Sequence, residues 1–219
     1  MQEDDGVAAA TRDRLWLADW RRRVVELYAE VRAMAAADPA AAWDAWRRER
    51  EALYRGHPQS PVPTAERAVF RASHWPYDPA LRFSVAVKPP LATPSLGAAI
   101  SLPNSGVDQL SFRRVGHVEL PLPAGARRLA MYWMDGYAGG MFLPVRDATN
   151  GAETYGAGRY LLDTGKGADL GGDAERGTLV VDVNFAFQPS CAFDPVWACP
   201  LAPAENRLDV PLEAGERLR

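Results

Sequence analysis

Two hydrophobic periods divide the chain near residue 56. Before it, Trp16, Trp20, Val24, Leu27, Val31 and Met34 recur at spacings of three and four, which puts them on one helical face. Arg21, Arg22, Arg23, Glu26, Glu30 and Arg32 largely fill the opposite side. Asp38-Pro39 interrupts the pattern and restarts it, Asp38 as an N-cap and Pro39 at the first helical position, where its missing N–H costs nothing. The second helix carries Trp43, Trp46 and Leu53 and is expected to stop at Gly56 as a C′ residue. The four tryptophans fit ordinary core packing better than an aromatic ligand cage, and the interspersed Glu and Arg residues describe a solvated face.

His57-Pro-Gln-Ser-Pro-Val-Pro63 then forms a stiff extended link. Beyond it the period becomes two. Short alternating runs occur at Val69–Arg71, Phe83–Val87, Leu110–Val115, His117–Leu122, Leu129–Met134, Met141–Val145 and Leu179–Phe185, with a last strand expected at Leu208–Leu212. Asn150-Gly151 is a turn signal that would send the strand ending near Arg146 back toward Arg159-Tyr160-Leu161. No helical stretch separates these runs. The expected fold is therefore mainly β (α+β): an antiparallel β-barrel or sandwich with two N-terminal helices packed against it. The expected division is a helical pair at 1–56 and a β domain at 57–219, acting as one cooperative unit.

Composition narrows the function classes. The 219 residues are 47% hydrophobic and 24% charged, enough for a sizeable core. A net charge of −3, with no basic stripe on the strands, argues against nucleic acid as a partner. The acidic start Met1-Gln-Glu-Asp-Asp-Gly carries neither a basic n-region nor an apolar run, so no membrane association and a cytoplasmic location are expected. Cys191 and Cys199 are then expected as reduced thiols rather than a structural disulfide.

Several phrases are similar to a known family of bacterial proteins, DUF1684. They are Trp46-Arg-Arg-Glu-Arg50, His57-Pro-Gln-Ser-Pro61, Trp75-Pro-Tyr-Asp-Pro-Ala-Leu-Arg-Phe83, Asp147-Ala-Thr-Asn-Gly151, Glu153-Thr-Tyr-Gly-Ala-Gly-Arg-Tyr160, Asp182-Val-Asn184, Cys191-Ala-Phe193 and Cys199-Pro-Leu-Ala-Pro-Ala-Glu-Asn206. The resemblance spans roughly residues 43–216. It departs at Val145-Arg146 ahead of Asp147, and at Val183 where Phe is usual. The family's biochemical role is not established, so the resemblance implies no catalytic residues.

The candidate chemistry clusters in the last third. Asp147, Thr149, Asn150 and Glu153 suit either a hard cation or, more simply, an Asx-type loop. Gly156-Ala-Gly158 lacks the context of a phosphate loop and reads as a tight backbone approach. Arg159 enters a strand and needs an anion, with Asp182 the natural internal partner and a ligand the alternative. Asp182 and Asn184 alternate and would share one strand face. Asn206 is expected to close its loop through backbone groups. The leading expectation is a small-molecule-binding site lined by Tyr155, Arg159, Asp182 and Asn184, without metal or cofactor. The rivals are a hydrolase-like enzyme using Asp182 or Glu153 as base or Cys191 as nucleophile, and a structural or partner-binding protein.

Overall fold

The computed structural model describes residues 2–90, 99–106, 110–137 and 139–218. Helix α1 (Gln2–Ala35) begins well ahead of the periodic segment, and α2 (Pro39–Gly56) follows it. Asp38 caps α2, its carboxylate accepting the Ala41 N–H at 3.0 Å, with Pro39 in the first turn. The far end differs from expectation. Gly56 lies inside the helix and His57 is the extended cap, its N–H donated to Leu53 O. The cause is Pro58, whose ring disfavours helical backbone at the residue before it.

The strands are β1 (Ser73–His74), β2 (Arg82–Ala86), β3 (Ile100–Ser101), β4 (Ser111–Leu122), β5 (Gly125–Met134), β6 (Gly140–Val145), β7 (Arg159–Asp163), β8 (Gly172–Asp173), β9 (Thr178–Asp182) and β10 (Glu216–Arg217). They form three antiparallel sheets, ordered β3-β4-β5-β6-β7, β2-β9-β8 and β1-β10. The ladders do not close into one barrel. The two runs expected at 110–122 are one strand, β4, bulged between Arg114 and Gly116. That extra residue changes the face on which the even-numbered side chains lie. Phe112 packs with Tyr132, Phe142, Tyr160 and the helical residues Leu27, Val31, Trp43 and Trp46. Val118, Leu120 and Leu122 instead join Val85, Val181, Leu208 and Leu212. The five-stranded sheet is thus covered on one face by helices and on the other by β2 and β9, and every residue of β7 is buried.

The β6–β7 return is the one its turn signal predicts: Val145 pairs with Arg159, and Gly151 adopts φ +88. Gly158, at φ +105, brings the chain so close that a Cβ would lie 2.6 Å from Val145 O. Three expected strands are absent or shortened. Residues 69–71 lie in a turn region, and pairing starts only at β1. Strand β9 ends at Asp182, because its carboxylate accepts the Asn184 N–H at 3.0 Å and winds 183–185 into a 3₁₀ turn. Residues 208–212 form no ladder; isolated backbone bonds with Arg146 and Ala148 hold their start, and Arg159 and Asp147 hold Leu212. Among the described residues no helix is long and apolar enough to cross a membrane.

Candidate functional site

Arg159 opens β7, the last strand of the five-stranded sheet, and is fully inaccessible. Its expected partner, Asp182, is not the one it has. The guanidinium meets Asp147 Oδ2 at 3.0 Å, Leu212 O at 2.8 Å and Glu216 O at 3.0 Å, and it also donates to Ala214 O. Burial pulls its pKa down, and Asp147 opposes that pull. It stays a cation because an arginine begins so high. The other carboxylate oxygen of Asp147 accepts from Thr149 N (2.9 Å), Thr149 Oγ1 (2.6 Å) and Leu212 N (3.2 Å). Asn150 adds Nδ2 bonds to Thr154 Oγ1 and Tyr155 O. The loop is held by its own side chains, the Asx-type reading. Together Asp147 and Arg159 act as a ladder for the C-terminal segment, supplying one acceptor and several donors that a strand would have supplied.

Asp182 and Asn184 build a different joint. Arg82 lies 3.1 Å from Asp182 Oδ2, and Tyr77 donates to the same oxygen at 3.4 Å. Asn184 Nδ2 donates to Asp182 Oδ1 (2.7 Å) and to Asp78 O (2.8 Å), and its Oδ1 accepts the Asp78 N–H at 2.8 Å. Trp43 Nε1 donates to Asn184 O at 2.8 Å, which fastens α2 to this turn. Burial raises the Asp182 pKa, against Asn184 and Arg82. The four expected residues therefore do not converge: Arg159 and the Asp182–Asn184 pair each have separate internal partners. Tyr155 stands apart from both, its N–H donated to Gln188 Oε1 at 3.1 Å.

Gln188 leads to a surface site. Its Nε2 donates to Arg217 O at 3.3 Å and its N–H to Glu216 Oε2 at 2.7 Å. The Glu216 carboxylate is buried but held low by Arg50, whose Nε lies 2.5 Å from Oε1. Beside this junction a groove of about 370 Å³ opens to solvent, lined by Phe70, Arg71, Ser73, Gln188, Phe193 and Arg217 together with the carboxylates Glu66 and Glu216. Among the described residues neither Arg71 nor Arg217 is paired with a carboxylate. Arg71 donates to Phe70 O, and Arg217 lies 5.1 Å over the Trp75 ring. Arg159 lies over the same ring at 5.4 Å, so the internal arginine supports the strand that displays the surface one.

Two other hollows are weaker candidates. One of about 420 Å³ lies between α1 and α2, but its cation Arg23 is held by Asp19 at 2.8 Å. Asp19 also accepts from His57 Nε2 at 3.1 Å, while His57 Nδ1 accepts Gln59 N–H. The other, of about 60 Å³, lies between the helices and β7 beside Tyr28, Tyr54, Asp163 and Lys166. It has room for a water or two, not for an organic molecule. Asp163 Oδ1 has no hydrogen-bond partner there, and burial raises its pKa.

Arg71, Ser73, Gln188 and Arg217 carry no sequence signal as a group. They meet only through the β1–β10 pairing, Ser73 to Arg217 and His74 to Glu216, and two-residue strands are too short to show a period.

A mainly β fold of this kind, its largest sheet buried and pinned by an internal Arg–Asp pair, defines a class by architecture rather than by chemistry. The family described as a protein of unknown function, DUF1684, matches residues 70–217, and the chain belongs to it. It is also similar to the solution NMR structure of an uncharacterized protein from gene locus rrnAC0354 of Haloarcula marismortui. That similarity has 28% identity and a TM-score of 0.56, over 80% of this chain and 91% of the other. No curated protein matches the chain.

Proposed function

We propose that the protein binds a small organic carboxylate in the groove beside β1 and β10. The carrying observation is a pair of guanidiniums, Arg71 and Arg217, that line one groove without carboxylate partners among the described residues, Arg217 lying over the Trp75 ring. Phe70 and Phe193 pack edge-on, with centroids 5.9 Å apart, and offer an apolar wall. Ser73 and Gln188 add hydroxyl and amide groups along the same lining. Such a site suits a ligand with an apolar body and one anionic end, the charge meeting a fork of N–H donors. The volume falls at the small end of ligand pockets, roughly 300–1,000 Å³. The site lies at the edge of the β domain, not inside a barrel. Of the residues expected from sequence, Tyr155 is tied to it through Gln188, and Arg159 acts by holding the strand that carries Arg217.

A scaffold with no ligand is the reading that Arg159, Asp182 and Asn184 favour by themselves, since internal partners engage all three. The two are separated by titrating hexanoate and phenylacetate, with their amides as neutral controls, against the protein in calorimetry. The acids are expected to bind and the amides not, with affinity lost in Arg71→Ala and Arg217→Ala. Equal binding of acid and amide, binding indifferent to both substitutions, or no binding by any compound would refute the site.

A further inference from the structure

Cys191 and Cys199 are the only cysteines of the chain, eight positions apart, and the fold brings them into contact. The Cys191 N–H donates to Cys199 Sγ at 3.3 Å. A backbone nitrogen lies about 1.46 Å from its own Cα. The Cys191 Cα is therefore within about 4.8 Å of the opposite sulfur. The surroundings are polar for a pair of buried cysteines. The Tyr155 and Ser105 hydroxyls lie close to Cys191. Ser105 Oγ accepts the Cys199 N–H at 2.8 Å and Ser105 N–H reaches Cys199 O, which fixes the second cysteine as well.

The two sulfurs are not equivalent. Both are buried, Cys191 at 6% exposure and Cys199 at 1%, so Cys191 is the less enclosed of the two. The hydrogen bond from Cys199, with help from Ser105 and Tyr155, lowers the Cys191 pKa to about 6, against the pull of burial. The same contact raises Cys199, so the pair loses its first proton early and its second late. A low-pKa thiolate beside a resolving thiol is the arrangement that reacts reversibly with oxidants once a reagent reaches it.

We propose that Cys191 and Cys199 form a redox-active dithiol that a hydroperoxide converts to an intramolecular disulfide. The Cys191 thiolate attacks one peroxide oxygen; the O–O bond breaks, the sulfur becomes a sulfenic acid, and the departing oxygen takes up a proton. Cys199 then attacks the Cys191 sulfur; the S–O bond breaks, the S–S bond forms, and the hydroxyl leaves as water with the Cys199 proton. Two thiols and one hydroperoxide give one disulfide, one alcohol (water when the oxidant is hydrogen peroxide) and one water. This proposal is independent of ligand binding in the groove, although Ala192 and Phe193, which follow Cys191, line it.

The test is hydrogen peroxide treatment of the folded chain, followed by denaturation, alkylation and peptide mass spectrometry. The wild type is expected to lose both alkylatable thiols together, to stay monomeric on a non-reducing gel, and to regain both with dithiothreitol. Cys199→Ser should stop at the sulfenic acid, trapped on Cys191 by dimedone, whereas Cys191→Ser should leave Cys199 unreacted. A brief iodoacetamide pulse on native wild type at neutral pH should label Cys191 several-fold faster than Cys199, a readout that needs no variant. Thiols that survive excess peroxide, a disulfide only between chains, or equal labelling of the two cysteines would each overturn the proposal.

Discussion

Replacing Arg159 with methionine removes the donor that the C-terminal segment uses in place of a strand partner. Methionine fills similar length without charge, so the change isolates the polar loss. It leaves Asp147 Oδ2 without its cation and takes a donor from the carbonyls of Leu212, Ala214 and Glu216, all buried. Breaking a buried ion pair from one side costs about 3–5 kcal/mol. Each carbonyl left unsatisfied adds about 1 kcal/mol or more, though the losses overlap. A working figure is about 5 kcal/mol, comparable with the whole stability of a marginal domain. For a chain of this size that corresponds to a fall of roughly 10–20 °C in Tm. Urea unfolding followed by circular dichroism would measure it, alongside Asp147→Asn and the double variant. The cycle should show a coupling of at least about 1.5 kcal/mol, because each single change strands the other partner. Arg159→Lys keeps the charge but lacks the planar fork, and it should fall between wild type and methionine. A loss below about 1.5 kcal/mol, or additive single effects, would show that the guanidinium is not what holds residues 212–216.

Four further outcomes follow from the same structure. Asp163 has its folded pKa raised by burial, so its stabilising contribution is present below the unfolded value near 3.8 and is lost as pH rises through the folded one. Asp163→Asn should therefore stabilise the protein near neutral pH by about 1–2 kcal/mol, with the difference vanishing in acid, as chemical denaturation at several pH values would show. Glu216 has the opposite sign: burial would raise its pKa, but Arg50 and its partners hold it below 4.5. Its stability is present above the unfolded value and lost as pH falls through the folded one, so Glu216→Gln should lower neutral stability and flatten the acid limb of the melting curve. Asn206→Ala should cost about 2–3 kcal/mol in urea, since it strands Ala130 N–H, Ala130 O and Pro144 O. Asp38→Ala should cost about 1 kcal/mol through the lost cap of α2, measurable as a small fall in Tm.

Wherever burial alone decides the pattern, the sequence was readable. The spacing of Leu27 and Val31 marks the face of α1 that reaches the core, and Trp43 and Trp46 mark that of α2. Alternation located β2, β4, β5, β6 and most of β9. Trp16 and Met34 kept the period yet remain 38% and 40% exposed, because helical phase continues past the end of the surface it packs on. Short-range polar chemistry was also legible: Asp38, the Asn150-Gly151 turn, and Asn206, whose Nδ2 and Oδ1 close its loop onto Ala130 and Pro144.

What could not be read was the choice among distant partners. Asp147, twelve positions before Arg159, and Asp182, twenty-three after it, are equally acceptable anions on paper. The β6–β7 return sets Asp147 beside Arg159, while Arg82 and Asn184 take Asp182, and neither choice is encoded in a period of two. The same reason hides the C-terminal segment. A strand announces itself by alternation because its ladder repeats every second residue. Residues 208–216 combine scattered backbone bonds to Arg146, Ala148, Trp75 and Ala186 with one guanidinium and one carboxylate, fixed points that impose no period. Arg159 thus draws the eye as a ligand contact, being a charge in a strand, for the same physical reason that makes it a scaffold: a buried cation must be surrounded by acceptors, and here the protein's own backbone supplies them. The arginines that do face outward, Arg71 and Arg217, sit in pairings two residues long and give no such warning.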